Sequence, residues 1–173
     1  MFYTDLTSGP NSGGENNKGA FVTIYGANLG AIQGASTVRF GGGFVDHCSV
    51  WGVAWLWFQK ITCQLGANAA TGNIVVTVSG QVSNTLPFTV RSGNIYFVST
   101  SGSNANPGTF AAPYRDIWKA KNTMPAGSIL YVRGGLWSDV EPPTGSAPDA
   151  ITMLPSIWGF ARAGRARHPC PNP

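Results

Sequence analysis

"STSGSNANPGTFAAPYRDIWKAKNTMPAGSILYVRGG" runs from Ser99 to Gly135. An apolar run, Ile95–Val98, stands before it, and a second, Ile129–Val132, lies near its end. Strand, glycine-rich loop, helix and strand is also the order of a nucleotide-binding unit. A dinucleotide fingerprint needs GxGxxG opening a helix, and a P-loop needs GxxxxGK[ST]. Here Gly102 and Gly108 are separated by five residues and no Lys follows them. The loop is also about 15 residues long, where strand-to-helix turns take about two to six. The stretch is therefore not a phosphate cradle.

The helical part is short. Pro113 suits a first turn, where its missing N–H costs little. Tyr114, Ile117, Trp118, Lys121 and Met124 fall at helical steps, giving one apolar face with a Lys stem at its margin. Pro125 and Gly127 stop it. The pattern predicts a helix over Tyr114–Thr123, the only substantial one in the chain, with Ile117 and Trp118 buried against strands 95–98 and 129–132. Ile129, Leu130, Tyr131 and Val132 are apolar on both faces, so that strand is expected to be either central in a sheet or covered on both sides.

The preceding half has a different rhythm. "AFVTIYG" alternates, with Phe21, Thr23 and Tyr25 on one face and Val22 and Ile24 on the other. "STVRFGG", "KITCQL", "NIVVTVSG" and "LPFTV" follow, separated by Gly- and Asn-rich turns. Short strands with regular turn signals predict an all-β sandwich or barrel. Pro87 lacks a ladder donor, which places its strand at an edge or a bulge. Composition agrees. Charged residues are only 10% of the 173 residues, and 23 are Gly. That excludes a helical bundle, which needs many charged and Ala/Leu positions on periodic faces.

Other function classes are excluded as well. The net charge of +4 comes partly from Arg162, Arg165 and Arg167 in the tail. No clustered basic face marks a nucleic-acid binder. No apolar run of about 20 residues predicts a membrane span. No basic-then-apolar segment opens the chain, so no signal peptide is visible. Cys48, Cys63, Cys170, His47 and His168 lack the paired spacing of a structural zinc site. Adjacent His47 and Cys48 would point to opposite strand faces, which a nucleophile and its base cannot do.

Among the seven acidic residues, Asp139 and Glu141 stand two apart and could bind calcium from a strand, but Pro142 and Pro143 favour a solvated turn. No catalytic residue and no metal ligand is assigned. Trp51, Trp55 and Trp57 form an unusually aromatic stretch. They do not share a face at either period, so at least one should be exposed. Two readings stay open, a core strand with a packed loop, or a platform on which sugar rings stack.

Five segments together carry a resemblance: "TSGPNSGG", "VTIYGANLG", "STVRFGG", "ITCQLGANAATGNIVVTVSG" and "SNTLPFTV". In order and spacing they resemble an IPT/TIG domain, which implies an immunoglobulin-like sandwich over residues 3–90. The resemblance also implies a disulfide between Cys48 and Cys63, because extracellular members often carry a cysteine at the "ITC" position with a partner upstream. The alternative is two reduced, buried cysteines; Cys170 would stay free.

The stretch Ile95–Asp139 resembles the opening of right-handed parallel β-helix proteins of the pectate-lyase-like class. Ser128 replaces the common Asp, and Trp137 the common Tyr. This implies an N-terminal cap and first coil at 94–140 and a location outside the cell or at its surface. It implies polysaccharide as partner. Calcium would enter only through later coils of an intact parent.

Residues 141–173 break the pattern. Only "AITML", Ala150–Leu154, reads as a strand. The closing turn to Ala, Arg, Gly and Pro reads as a truncated or out-of-frame end more readily than as a basic tail. Two functions follow as expectations. One is a non-catalytic extracellular module, carbohydrate-associated or adhesive. The other is the N-terminal part of a polysaccharide lyase or glycoside hydrolase whose catalytic coils lie elsewhere.

Overall fold

A computed structural model describes the backbone of residues 1–55, 57–134 and 150–152. Strands β1 (Tyr3–Thr4), β2 (Ser8–Gly9), β3 (Phe21–Gly26), β4 (Thr37–Phe40), β5 (Gly43–Trp55), β6 (Phe58–Leu65), β7 (Gly72–Val78), β8 (Gln81–Val82) and β9 (Leu86–Val90) come first. They hydrogen-bond in the order β1-β3-β6-β5-β4-β7-β9-β2, with β8 added to β7. The path folds back on itself at the β4–β5 hairpin, where Phe40 opposes Gly43.

Its two halves face each other. Val22, Ile24, Ile61 and Leu65 from one side and Val38, Phe40, Ile74, Val76 and Phe88 from the other share a single buried cluster. Phe40 and Phe88 meet edge to face at 4.9 Å. This is a mainly β fold consistent with the expected immunoglobulin-like sandwich. The alternation in β3 divides as the pattern implies: Val22 and Ile24 are fully buried, while Thr23 and Tyr25 are half-buried on the outer side. Phe21 departs from that outer face and is buried too.

Cys48 and Cys63 lie directly opposite each other on β5 and β6 and are joined by a disulfide. β5 is longer than any strand expected from the sequence and absorbs "VWGVAW". Three register shifts interrupt its pairing with β6, so hydrophobic alternation alone could not trace it. Pro87 also turns out differently. Its strand β9 is paired on both sides, with β7 and β2. The N–H groups of Thr89 and Arg91 donate to Thr7 and Gly9. Pro87 lies two residues before Thr89, on the same side but past the end of the two-residue β2, so no ladder bond is lost there.

The rest of the described chain is a small parallel sheet. β10 (Ile95–Val98), β11 (Ile129–Val132) and β12 (Ala150–Thr152) run parallel and in register. The helix α1 (Ile117–Thr123) crosses over between the first two. All four β11 side chains are buried, and the two faces go to different places. Ile95, Phe97, Ile129 and Tyr131 join the sandwich core. Val98, Leu130 and Val132 join a second cluster with Tyr114 and Ala120, against which Tyr96, Ile117 and Met124 pack. The period of two thus sends odd residues to the sandwich and even ones to the helix.

Two expectations for the helix need correction. It starts at Ile117, not Tyr114. The N–H groups of Arg115 and Asp116 donate to the Asn104 side-chain oxygen at 3.1 Å, which holds Asp116 extended. Tyr114 instead bridges Val98 as a strand-like residue. Trp118 is not buried but 50% exposed. Ile117, Ala120 and Met124 face the sheet, and Trp118 lies one step round from them, with the Lys121 ammonium 4.9 Å from its ring centroid. Asp139, Glu141 and Trp137 lie outside the described residues.

Candidate functional site

The β5–β6 hairpin separates the three tryptophans. Trp51 is half-buried, and its indole N–H donates to the Leu29 carbonyl at 2.9 Å. Gln59 holds the same loop, donating to Gly30 O at 3.2 Å and accepting from Leu29 N–H at 2.8 Å. The approach is close enough that a Cβ on Gly52 (φ +68°) would stand 2.1 Å from Gly30 O. Trp51 is therefore a packing residue that pins the 29–31 loop on β5. Trp55 pairs with Phe58 along the backbone, and its side chain lies outside the described residues. Trp57, in the turn, is 73% exposed.

Trp57 belongs to a group that the sequence reading did not assemble. Its ring lies 5.4 Å from Phe2 and 5.4 Å from Phe58. Phe58 is 5.9 Å from Tyr25, which stacks on Tyr3 at 4.6 Å and 18°. The five rings form a continuous ribbon along the outer edge of β1, β3 and β6. Phe2 and Tyr3 are about half exposed. Backbone bonds hold that N-terminal segment in place, with Phe2 N–H on Tyr25 O at 2.7 Å. Asn84 also donates to Met1 O at 2.9 Å. These rings come from residues 2–3, 25 and 57–58, and only strand pairing unites them. The Tyr3–Tyr25 register pair was the one signal available, and it requires knowing that β1 exists.

Polar groups flank the ribbon. Lys60 lies opposite Tyr25 in register, and Val53, half-exposed, lies opposite Lys60 on the other side. The Thr23 and Thr62 hydroxyls meet at 3.1 Å. Asp5 accepts the Thr23 N–H at 2.7 Å. Burial raises the Asp5 carboxyl above its ordinary value, against the lowering effect of that bond. The Tyr25 phenol is raised as well, by desolvation first and then by the Asp5 charge. Neutral aromatic faces with hydroxyl and amine neighbours can stack on apolar ligand surfaces and orient them by hydrogen bonds.

Other candidates contribute little chemistry. Asp46 bridges His47 and Lys18, each at 3.0 Å, and those two hydrogen bonds, His47 first, lower its carboxyl. The bonded Cys48 removes any thiol beside His47. In the 99–116 loop the amides donate internally: Gly102 to Ser99 O, Ser103 to Pro113 O and Gly108 to Ala112 O. They do not converge on a ligand. A Cβ on Gly108 would press on the Tyr114 ring at 2.3 Å, so its glycine serves packing. The open depression between residues 30–36 and 78–80 is lined by Gly, Ala, Ser, Ile, Gln and Val only. Among the described residues no three His, Cys, Asp or Glu side chains are placed to hold a metal ion, and no described helix is long and apolar enough to cross a membrane.

Comparison with curated proteins and with solved structures gives no match. A protein-family comparison does, and its match spans strands β2 to β9 of the sandwich with their glycine-rich turns. Residues 6–90 are an IPT/TIG domain, a generic immunoglobulin-like module.

Proposed function

We propose that this chain is a non-catalytic extracellular module, carbohydrate-associated or adhesive, belonging to a larger secreted protein. The ribbon Phe2–Trp57–Phe58–Tyr25–Tyr3 is its contact surface. The observation that carries this reading is the 73% exposure of Trp57, which lies between the contacting rings of Phe2 and Phe58. Exposed tryptophan is costly to leave in water, and grouped exposed rings mark contact sites. Sugar rings offer C–H faces that suit such a surface, with Lys60 and the threonine hydroxyls as hydrogen-bond partners.

Co-sedimentation with a panel of insoluble polysaccharides tests it. The expected result is retention on at least one, lost in Trp57→Ala and in Phe2→Ala but kept in Trp118→Ala, whose exposed ring lies on another element. Equal retention by Trp57→Ala, or none by the unaltered chain on any polymer, would reject the reading.

A second reading is supported by the parallel sheet. β11 and β12 stand in register with a 21-residue step from Ile129 to Ala150, the length of one β-helix coil. The chain would then be the cap and first coil of a polysaccharide lyase or glycoside hydrolase, with the catalytic groups and any calcium in later coils. Reading the encoding DNA beyond residue 150 in every frame discriminates: further coil-length repeats favour the enzyme parent, and their absence favours the module.

A further inference from the structure

The IPT/TIG match ends at residue 90, but the hydrophobic core does not. Ile95, Phe97, Ile129 and Tyr131 belong to the same buried cluster as the sandwich interior. At this end of the sandwich two of the domain's own residues, Gly9 and Gly14, lack a side chain, and parallel-sheet side chains lie beside both. A Cβ on Gly9 would sit 3.7 Å from the Ile129 side chain, and one on Gly14 3.1 Å from that of Ile95.

Phe21 shows the dependence most directly. It lies on the nominally outer face of β3 yet is 5% exposed, with Tyr131 edge-on at 6.3 Å. Its N–H donates to the Tyr131 hydroxyl at 2.8 Å in a buried setting. Within residues 6–90 alone that N–H would lose its hydroxyl partner, and Phe21 would keep the His47 ring at 5.8 Å but lose that of Tyr131. The loss of a buried bond and of an aromatic contact falls on the sandwich.

The reverse dependence holds as well. β10 and β11 present apolar side chains on both faces, and a helix of seven residues covers only one of them. A sheet so small is not independently stable with its other face wet. Only four residues link β9 to β10. Arg91 in that link donates to Ser8 Oγ at 3.2 Å and to the Gly127 carbonyl. The joint is thus tied by polar bonds on the same side as the apolar contact.

We propose that the IPT/TIG sandwich and the following parallel sheet are one cooperative folding unit, with Tyr131 as the joint, so that the sandwich is closed by residues 95–98 and 129–132 and does not end where the family match ends. The functional consequence is rigidity. The aromatic ribbon and the parallel sheet are held in one fixed relation, not on a hinge.

Hydrogen exchange on the full chain tests this with a variant that does not touch the sandwich. Leu130 faces the helix-side cluster, so Leu130→Ala weakens only the parallel half directly. In a cooperative unit the slowest amides of β6 and β7, such as those of Ile61 and Val76, lose protection together with those of β10 and β11. The expected loss is about a hundredfold, as for core leucine truncations. Protection lost in β10 and β11 but unchanged in β6 and β7 overturns the proposal. Should Leu130→Ala not fold, the same two outcomes remain readable: a sandwich that stays protected overturns it, and one that unfolds too supports it. Tyr131→Phe, which removes one hydroxyl, should lower protection in both halves about tenfold; an effect confined to one half counts against the joint.

Discussion

The sandwich and the parallel sheet solve the same problem by different means. In the sandwich, two half-sheets bury one face each and leave the other to water, so Val22 and Ile24 go in while Thr23 and Tyr25 look out. In the parallel sheet β11 buries both faces, and its alternation sorts residues between two cores instead of between core and solvent. Alternation of polarity therefore marks the first region and is invisible in the second. The comparison teaches that an apolar run carries its own periodicity, which only its neighbours reveal.

The sharpest difference should come from the sandwich interior. Phe40 is fully buried against Phe88, and Phe40→Ala should cost about 3–5 kcal/mol, read as a fall in the denaturant midpoint. A smaller loss than that of parallel-sheet variants would mean that the sandwich core is not the dominant one. The disulfide comes next. Reducing Cys48–Cys63 should cost about 3 kcal/mol by the chain-entropy relation. Thiol titration of the unfolded, unreduced chain should find Cys170 alone; three reactive thiols would show that the bond does not form.

Gly108→Ala probes the parallel half. A methyl group there meets the Tyr114 ring at a backbone φ of +80°, so it should cost about 1–3 kcal/mol and shift near-ultraviolet tyrosine signals. Trp118→Ala should cost less than about 1 kcal/mol, because half of its ring is already in water and surface changes are small. A loss of several kcal/mol would place Trp118 in a core after all. The smallest effect is expected at Ser128. Its hydroxyl is fully buried with no hydrogen-bond partner, so Ser128→Ala should be neutral or stabilising by up to about 1 kcal/mol; clear destabilisation in a thermal melt would reveal a bond to that oxygen.

Much of the fold was legible residue by residue. Turn glycines and period-two runs located β3, β4, β6, β7 and β9, because half-buried strands announce themselves by alternation. β5 was legible only in part: its bulges interrupt the alternation, and Gly52 sits at a close approach to Gly30 that no local pattern marks. The helix was placed from its periodicity, but its start was misread because a side chain, Asn104, competes for the amides that would open it. Trp118 was misassigned for a related reason. A seven-residue helix has room for one buried stripe, and Ala120 occupies its centre.

The candidate site was less legible still. Trp57 stood out by type and neighbourhood, but Trp51 looked equivalent and is not, since its indole N–H is committed to Leu29. Phe2, Tyr3, Tyr25 and Phe58 carried no local signal.

By itself, the sequence determined the strands β3, β4, β6, β7, β9, β10 and β11, the presence of one helix between the last two, the family of residues 6–90 and the absence of phosphate-loop or paired-cysteine metal motifs. These follow from local chemistry: backbone preferences, polarity periods and turn residues act over a few positions. Tertiary structure decided the grouping of the five rings, the burial of Phe21 and the continuation of the sandwich core into Ile129 and Tyr131. Those depend on residues up to 110 positions apart, as Phe21 and Tyr131 are, brought together by strand register and packing, which no local pattern encodes.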